Sequence, residues 1–497
     1  MRRNILFYIA ALSLFATGIY FLLASGRHLH PAGVTSLETS AVAPSSHPPK
    51  PFTTSLSNAL TDNLQHPLTI LLLQVIVIIV AARLVGALFL RMGQPAVIGE
   101  MMAGIILGPS LLGALFPTAQ SFLFPPSSME LLKTLSQLGV ILFMFVVGLD
   151  LNVQHLRLKA HTAVLVSHAS IMIPALLGVA LSLFIYPLVA SPRVSFTAFA
   201  LFIAVAMSIT AFPVLARIIE ERGLTKTHLG TTTIACAAVD DVTAWCILAT
   251  VVAIAKADRL SSSLMTIFLT LLFIGVMLFL IKPRTEHWLG EKFRRGIPNN
   301  GTVALVLVIV FTSALFTEVI GIHALFGAFL AGVIMPSHYG LRNFLRERFE
   351  TFSSGLLLPL FFAFTGLRTQ IGLLDDWQSW LMCGAVIGVA IAGKLGGSMI
   401  AARSTGMNWQ ESFSLGALMN TRGLIELIVL NLGYELGILP PKIFAVMVLM
   451  ALTTTFMTGP LLSVSEFWNR TRSLSTKGQE SADTRLQPAT AVTVQEV

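Results

Sequence analysis

The chain has 497 residues, of which 55% are hydrophobic and only 11% are charged, and its mean hydropathy is +0.81. A soluble domain carries roughly 25% charged residues, so this chain is too poor in charge to build a water-facing surface, and a soluble globular fold is excluded. The net charge of +8 suits a membrane protein with Lys- and Arg-rich cytoplasmic loops, and we expect no nucleic-acid partner.

The first 25 residues form a hydrophobic segment, in which two arginines precede a long apolar run. Such a segment is either a signal peptide or a membrane anchor, and the length of the apolar run favours an uncleaved anchor. Residues 26–66 are rich in Pro, Ser, Thr and His and are predicted to be an extracytoplasmic linker. Residues 67–466 contain the predicted transmembrane domain, and the polar residues 467–497 are predicted to form a disordered cytoplasmic tail.

Thirteen apolar stretches follow the linker, each long enough to cross about 30 Å of hydrocarbon as a helix. The predicted spans are 67–90, 95–116, 130–150, 160–187, 196–219, 229–254, 262–283, 301–319, 321–337, 351–368, 378–402, 411–436 and 441–466. The sequence therefore predicts an all-α membrane protein with about thirteen core transmembrane helices.

Lys and Arg residues are concentrated in alternate connections between these spans. Sixteen lie in or beside one set of connections and six in the opposite set. The richer connections are those at about 84–94, 151–159, 217–228, 282–300, 338–350 and 403–410. The positive-inside rule places the richer set in the cytoplasm. We therefore predict a multi-pass protein of the cell (inner) membrane, surrounded by lipid, with a cytoplasmic C-terminus.

An ionised group deep inside an apolar span costs at least ~2.5–3.5 kcal/mol and usually marks function, and three such residues are considered first. Asp240 and Asp241 are adjacent near the middle of the sixth span, and Lys394 lies at a similar depth in the eleventh. Adjacent helical residues point about 100° apart, so the two acids cannot serve one small partner equally. A salt bridge from Lys394, preferably to Asp240, would neutralise the site. Lys394 could instead snorkel to the inner surface, and the two aspartates could both be paired with other groups and have no function in transport.

Two spans are interrupted by polar or helix-breaking residues. The fifth contains SITAFP, in which Pro213 lacks an amide donor, and the twelfth contains MNTRG. Two broken helices in corresponding places indicate a transporter binding site, and helices 4–6 and 11–13 are candidates for inverted repeats. The residues expected to line the site are Ser208, Thr210, Asn420, Thr421, Arg422 and Glu426. Pro213 could instead mark an ordinary kink, and Arg422 could simply pair with Glu426.

Several long segments resemble the monovalent cation:proton antiporter superfamily. The branch is that of plant cation/H⁺ exchangers and bacterial K⁺ efflux and Na⁺/H⁺ antiporters. The segments are PAVIGEMMAGIILGPSLLG from Pro95, SITAFPVLARIIEERGL from Ser208, ACAAVDDVTAWCILA from Ala235, GIHALFGAFLAGVIMP from Gly321 and MNTRGLIELIVLNLG from Met419. They occur in the family's order, and the resemblance covers about residues 70 to 465.

The resemblance implies a secondary active antiporter that exchanges a monovalent cation, K⁺ or Na⁺, for H⁺ by alternating access. It implies a mobile core domain, a separate dimerisation domain and hence a homodimer, and two discontinuous helices that cross beside the acidic pair. In such proteins the second acid, here Asp241, binds the metal ion and the proton in turn. The first acid, here Asp240, pairs with the lysine that corresponds to Lys394.

The residues themselves support competition at a single site. Burial disfavours a charged Asp241 whereas Lys394 favours it, so a proton and a bare cation could alternate on one carboxylate. Ser208, Thr210 and freed backbone carbonyls are the expected additional oxygen ligands. The alternatives are a cation channel, which would more naturally use rings of residues from several subunits, and a non-transporting sensor on the same fold. We expect no cofactor and no enzyme activity, since the hydrolase and metalloprotease motifs are absent from the sequence.

Overall fold

The computed structural model describes residues 14, 17–25, 66–150, 160–225, 227–256, 260–295, 300–336 and 338–486. All regular secondary structure in these ranges is helical. The main helices are α1 (Pro67–Arg91), α2 (Ala96–Leu107), α3 (Pro126–Asp150), α4 (Ala160–Val189), α5 (Phe196–Ser208), α6 (Phe212–Glu221), α7 (His228–Lys256), α8 (Leu260–Gly275), α9 (Lys282–Arg295), α10 (Asn300–Ile320), α11 (Ala324–Val333), α12 (Tyr339–Phe352), α13 (Leu358–Arg368), α14 (Trp377–Ile391), α15 (Gly397–Ser404), α16 (Trp409–Met419), α17 (Leu424–Glu435) and α18 (Pro441–Leu486). Shorter elements are Leu112–Leu115, Pro117–Leu123, the 3₁₀ turn Ile371–Leu373 and the π-helical turns Val276–Ile281, Ser353–Leu357 and Ala392–Gly396.

Each of the thirteen predicted stretches contains helix, which confirms the all-α membrane architecture. Within the described part of the chain, ten helices are long and apolar enough to cross a membrane, and the bent pair α16 and α17 makes an eleventh. The fifth stretch divides into α5 and α6 at its predicted interruption, and the ninth contains α11, whose 10 residues rise about 15 Å.

The outer surface of α1 is typical of a helix in contact with lipid. Its buried residues lie on one side and include Gln74, Ile78 and Ala82. The opposite face is exposed and apolar, and the residues on it are Leu68, Leu72, Ile76, Val80, Leu84 and Leu88. A helix with an apolar stripe pointing away from its own bundle needs an apolar solvent around it.

The helices pack as two bundles. The panel bundle consists of α1–α3 and α10–α13, and the core bundle consists of α4–α7 and α14–α18. The bundles meet along a seam, where α13 contacts α17 and α2 contacts α18. α8 connects them by packing against α7 and α10. Both interrupted helices belong to the core bundle, so the seam separates them from the panel.

Close backbone contact makes the panel bundle tight. A Cβ atom added at Gly332 on α11 would lie 2.2 Å from the carbonyl oxygen of Phe145 on α3. One added at Gly148 would lie 2.1 Å from the carbonyl oxygen of Phe329. Only glycine allows such an approach, as is common where membrane helices pack closely.

The two ends of the chain extend beyond the bundles described so far. Residues 17–25 are helical, and Ile19, Leu22 and Leu23 pack against the hydrophobic core. The other residues of the predicted anchor and nearly all of the predicted linker lie outside the described residues. α18 continues as a helix to Leu486, whereas the sequence predicts a disordered tail from residue 467.

Candidate functional site

The two helix interruptions in the core bundle bond to each other. The first lies at residues 209–211, between α5 and α6, and the second at residues 420–423, between α16 and α17. The N–H group of Ala211 donates to the carbonyl oxygen of Thr421 at 2.9 Å, and the Thr210 hydroxyl donates to the carbonyl oxygen of Met419 at 3.2 Å. The predicted pair of crossed discontinuous helices is therefore present, and the freed backbone groups are satisfied by protein.

Pro213 stands in the first turn of α6 rather than in the interior of a bent helix. A proline is favoured there, because the N–H group it lacks has no helical partner at that position. α5 ends at Ser208, and α6 starts at Phe212. The interruption is therefore a true break, and the alternative of an ordinary proline kink is excluded.

Asp240 is fully buried and accepts hydrogen bonds from four side chains. Ser167 and Ser170, one turn apart on α4, donate to it at 2.6 and 2.8 Å. Thr210 donates at 2.6 Å from the first break. Lys394 completes the set, with Nζ 2.9 Å from Oδ2. So many donors suit an ionised carboxylate, which can only accept.

Lys394 is also fully buried, which excludes snorkelling to the inner surface. Beyond Asp240, its ammonium group donates to the carbonyl oxygen of Ser170 at 3.0 Å and to that of Ser208 at the end of α5. It lies in the π-helical turn Ala392–Gly396, where α14 runs against α4. A Cβ atom at Gly393 would be 2.9 Å from Pro174 Cα, so a glycine there permits the approach.

Asp241 has different surroundings although it is the next residue. It is 1% exposed, and its carboxylate lies near the backbone N–H group of Phe212, the first residue of α6. Its Oδ1 atom has no hydrogen-bond partner within the described ranges. Asp240 is saturated by fixed donors, whereas Asp241 keeps a free acceptor atom in a buried place.

The polar residues at the breaks divide into two groups. The Ser208 hydroxyl donates to the carbonyl oxygens of Ala204 and Ile171, at 2.6 and 2.9 Å, and the Thr210 hydroxyl is committed to Asp240. Neither hydroxyl donates to Asp241 in this conformation. Asn420 is fully buried, and neither atom of its amide group has a partner among the residues that the structure describes.

Arg422 and Glu426 form the pair that the sequence allowed, with Nη1 3.5 Å from Oε1 and both side chains fully buried. The guanidinium group also donates to the carbonyl oxygens of Ala206 and Met207, at 2.8 and 2.7 Å. These carbonyls belong to the last turn of α5, where no intrahelical donor is available. Arg422 therefore ties the second break to the end of the first broken helix.

Sequence reasoning missed four hydroxyl residues of this site. Ser167 and Ser170 bind Asp240, while Thr455 and Thr458 on α18 contact the second break. The Thr455 hydroxyl accepts from the Arg422 N–H group at 2.9 Å and donates to the Arg422 carbonyl oxygen at 2.8 Å. Their signal is present in the sequence, as a Ser-x-x-Ser pair in the fourth apolar span and a run of threonines in the last.

The fold and the site together define a multi-pass helical membrane protein with a buried carboxylate–ammonium site where two broken helices meet. The chain belongs to the sodium/hydrogen exchanger family, whose transmembrane-domain model matches residues 76–465. This is a family of membrane exchangers and not of enzymes, and the resemblance read from the sequence motifs is confirmed.

Named relatives cover the transmembrane part of the chain. The Na⁺/H⁺ antiporter NhaS4 of Synechocystis is 45% identical over 396 residues, which cover 80% of this chain and 97% of the relative. Cation/H⁺ antiporter 17 of Arabidopsis thaliana is 41% identical, covering 80% and 48%. K⁺/H⁺ antiporter 1 of Saccharomyces cerevisiae is 34% identical, covering 80% and 46%. The chain thus spans nearly all of the first relative and about half of the plant and yeast proteins.

A solved structure has the same fold. The sodium proton antiporter MjNhaP1 of Methanocaldococcus jannaschii matches with a TM-score of 0.57 over 81% of this chain and 97% of that chain. The sequence identity is 14%, so this likeness concerns the fold alone.

Proposed function

We propose that this chain is a secondary active antiporter that exchanges a monovalent cation, K⁺ or Na⁺, for H⁺ across the membrane. Family membership and the printed activities of the relatives support the reaction class. The observation that carries the proposal is the difference in hydrogen bonding between Asp240 and Asp241. Asp240 is saturated by Lys394 and three hydroxyl groups, whereas Asp241 beside it has a free oxygen.

Asp241 is the proposed exchange group, which holds either a proton or a metal ion but not both. The fixed Asp240–Lys394 pair contributes no net charge, so the occupancy of Asp241 decides the charge of the buried site. The first N–H groups of α6 carry the positive end of the helix dipole and stabilise the carboxylate when it is empty. The Asn420 side-chain oxygen and backbone carbonyls at the breaks are the proposed further ligands, because these oxygens suit a bare alkali cation.

Movement of the core bundle against the panel bundle is the proposed transport step. Asp241 is 1% exposed, so exchange requires a path to water that opens on each side in turn. The two bundles meet along a limited seam, which suits a rigid-body motion of one against the other. We assign homodimerisation to the panel bundle, which does not carry the broken helices.

Location and selectivity are also part of the proposal. We place the chain in the cell (inner) membrane with a cytoplasmic C-terminus, from the distribution of Lys and Arg in the connections. We propose that the N-terminal segment is retained as an anchor, because Ile19, Leu22 and Leu23 pack on the core. K⁺ and Na⁺ are both proposed substrates, as relatives named for each ion are among the matches.

Transport in proteoliposomes tests the proposal. Vesicles with an internal pH dye are given gradients of K⁺, Na⁺ and Li⁺ in separate runs. We expect saturable proton flux driven by at least K⁺ or Na⁺, and its loss in Asp241→Asn. Asp375→Asn, a matched change outside the site, should keep the flux. Conductance without saturation would indicate a channel, and wild-type protein without flux would indicate a sensor.

A further inference from the structure

The C-terminal end of α17 is tied to the panel bundle by charged side chains. Glu435, at the end of α17, lies 3.1 Å from Arg368 Nη1 on α13 and 3.6 Å from Lys133 Nζ on α3. Gln137, one turn along α3 from Lys133, donates to the same carboxylate at 3.5 Å. One acid of the core bundle therefore holds two helices of the panel bundle.

Asn431 adds a second layer one turn before Glu435. Its amide nitrogen donates to the Thr365 hydroxyl at 2.8 Å, and its amide oxygen accepts from Arg368 at 3.2 Å. The Arg368 guanidinium also lies over the rings of Phe364 and Tyr434, at 4.2 and 5.4 Å. Arg368 thus makes three contacts with the core bundle: an ion pair with Glu435, a hydrogen bond with the Asn431 amide and a cation–π contact with the Tyr434 ring.

A cavity lies in the seam beside these contacts. Residues from both bundles line it, among them Val140 of α3, Phe361 of α13 and Ile428 of α17. Glu435 and Asn431 line it as well, while the other end of α17 begins at the second break. The helix rises about 18 Å between Glu435 and that break. The cavity therefore lies on the side of α17 that leads from the charged contacts toward the site.

We propose that Glu435, Asn431, Arg368 and Lys133 form an ionic latch that closes one side of the transport pathway and opens in each cycle. This inference rests on the proposed exchange function. Because α17 carries the break at its start and Glu435 at its end, displacement of the core bundle breaks every latch contact together. Lys133 also lies 3.4 Å from Glu130 on its own helix, so it has a partner available when Glu435 leaves.

The strength of the latch suits a reversible gate. The side chains of Lys133, Arg368 and Glu435 are 16–21% exposed, so water screens the ion pairs and each contributes little alone. Several weak contacts acting together bias the equilibrium between closed and open conformations without locking it.

Chemical labelling of the cavity tests the latch without any need for transport. The three native cysteines, Cys236, Cys246 and Cys383, are replaced by serine, and Val140→Cys places a thiol in the cavity wall. The protein is held in lipid nanodiscs, where both faces meet water, and reacts with a charged, water-soluble maleimide. We expect Glu435→Gln to raise the labelling rate about fivefold, which corresponds to ~1 kcal/mol in favour of the open form.

Asp375→Asn is the matched control, since Asp375 lies just before α14 and pairs with Lys442 of α18 at 3.9 Å rather than with a latch residue. Its labelling rate should equal that of the parent.

Lys133→Met is a second latch variant, and it should also raise the labelling rate. If labelling stays at the parent rate in both latch variants while thermal melting shows them folded, the latch is disproved. An equal rise in the labelling rate of Asp375→Asn would also disprove the latch. Loss of wild-type exchange with latch-dependent labelling would refute the proposed function and leave the latch intact.

Discussion

Asp240 and Asp241 are chemically identical side chains at adjacent positions, and the surrounding helices make them unequal. Asp240 faces α4, where Ser167, Ser170 and the Lys394 ammonium converge on it. Asp241 faces the start of α6 and keeps a free oxygen. The helical angle of about 100° between neighbours is the physical cause, since it points the two carboxylates at different helices.

Sequence alone predicts much of this residue-scale arrangement. Depth in an apolar span identifies Asp240, Asp241 and Lys394, because unpaired charges there are too costly to be accidental. The serines of α4 were not predicted, since hydroxyl groups are common in membrane helices and can bond to their own backbone. The orientation of the Ser208 hydroxyl, which bonds to carbonyl oxygens, depends in the same way on contacts that a sequence does not display.

The Asp240–Lys394 pair predicts a strong effect on stability. Lys394→Met leaves a buried carboxylate without its cation, and we expect it to destabilise the protein by about 3–5 kcal/mol. The double variant Asp240→Asn with Lys394→Met removes both charges and should recover a large part of this loss. Thermal melting of the purified protein in detergent is the measurement. Equal melting of wild type and Lys394→Met, or no recovery in the double variant, would contradict the pairing.

At the scale of the elements, the breaks depend on bonds from neighbouring helices. The sequence motifs SITAFP and MNTRG predict where the helices stop, because proline and consecutive polar residues interrupt an apolar helix. They do not predict what replaces the lost helical bonds. Thr455 on α18 provides one replacement, since its hydroxyl bonds to both backbone groups of Arg422.

Thr455→Val is expected to destabilise the second break. The change keeps the shape of the side chain but leaves the N–H group of Arg422 buried without this partner, at a cost of about 1–3 kcal/mol. Thr454→Val is the control, because among the described residues the Thr454 hydroxyl bonds to carbonyls of its own helix, at Met450 and Ala451, and not to the break. Melting temperatures should fall further in the first variant than in the second. The same loss in both would show that α18 does not stabilise the break through this hydroxyl.

At the scale of the whole molecule, the division into two bundles sets what can move. The apolar stretches predict the helices, and the family resemblance implies a core and a dimerisation domain. The seam itself was not predicted from the residues. Its latch residues, Lys133, Arg368 and Glu435, lie near helix ends in sequence, where charged residues are ordinary and carry no signal of their own.

The central claim is that one carboxylate, Asp241, holds either a proton or a cation, and proton release on cation binding tests it most directly. Protein in weakly buffered nanodiscs is titrated with KCl or NaCl at a series of pH values, with a pH dye in solution. We expect close to one proton released per cation bound when the site starts protonated, and an apparent Kd that rises up to about tenfold per pH unit of acidification. Asp241→Asn should release none, and Asp375→Asn should match wild type. Cation affinity independent of pH, or release that persists in Asp241→Asn, would contradict the account.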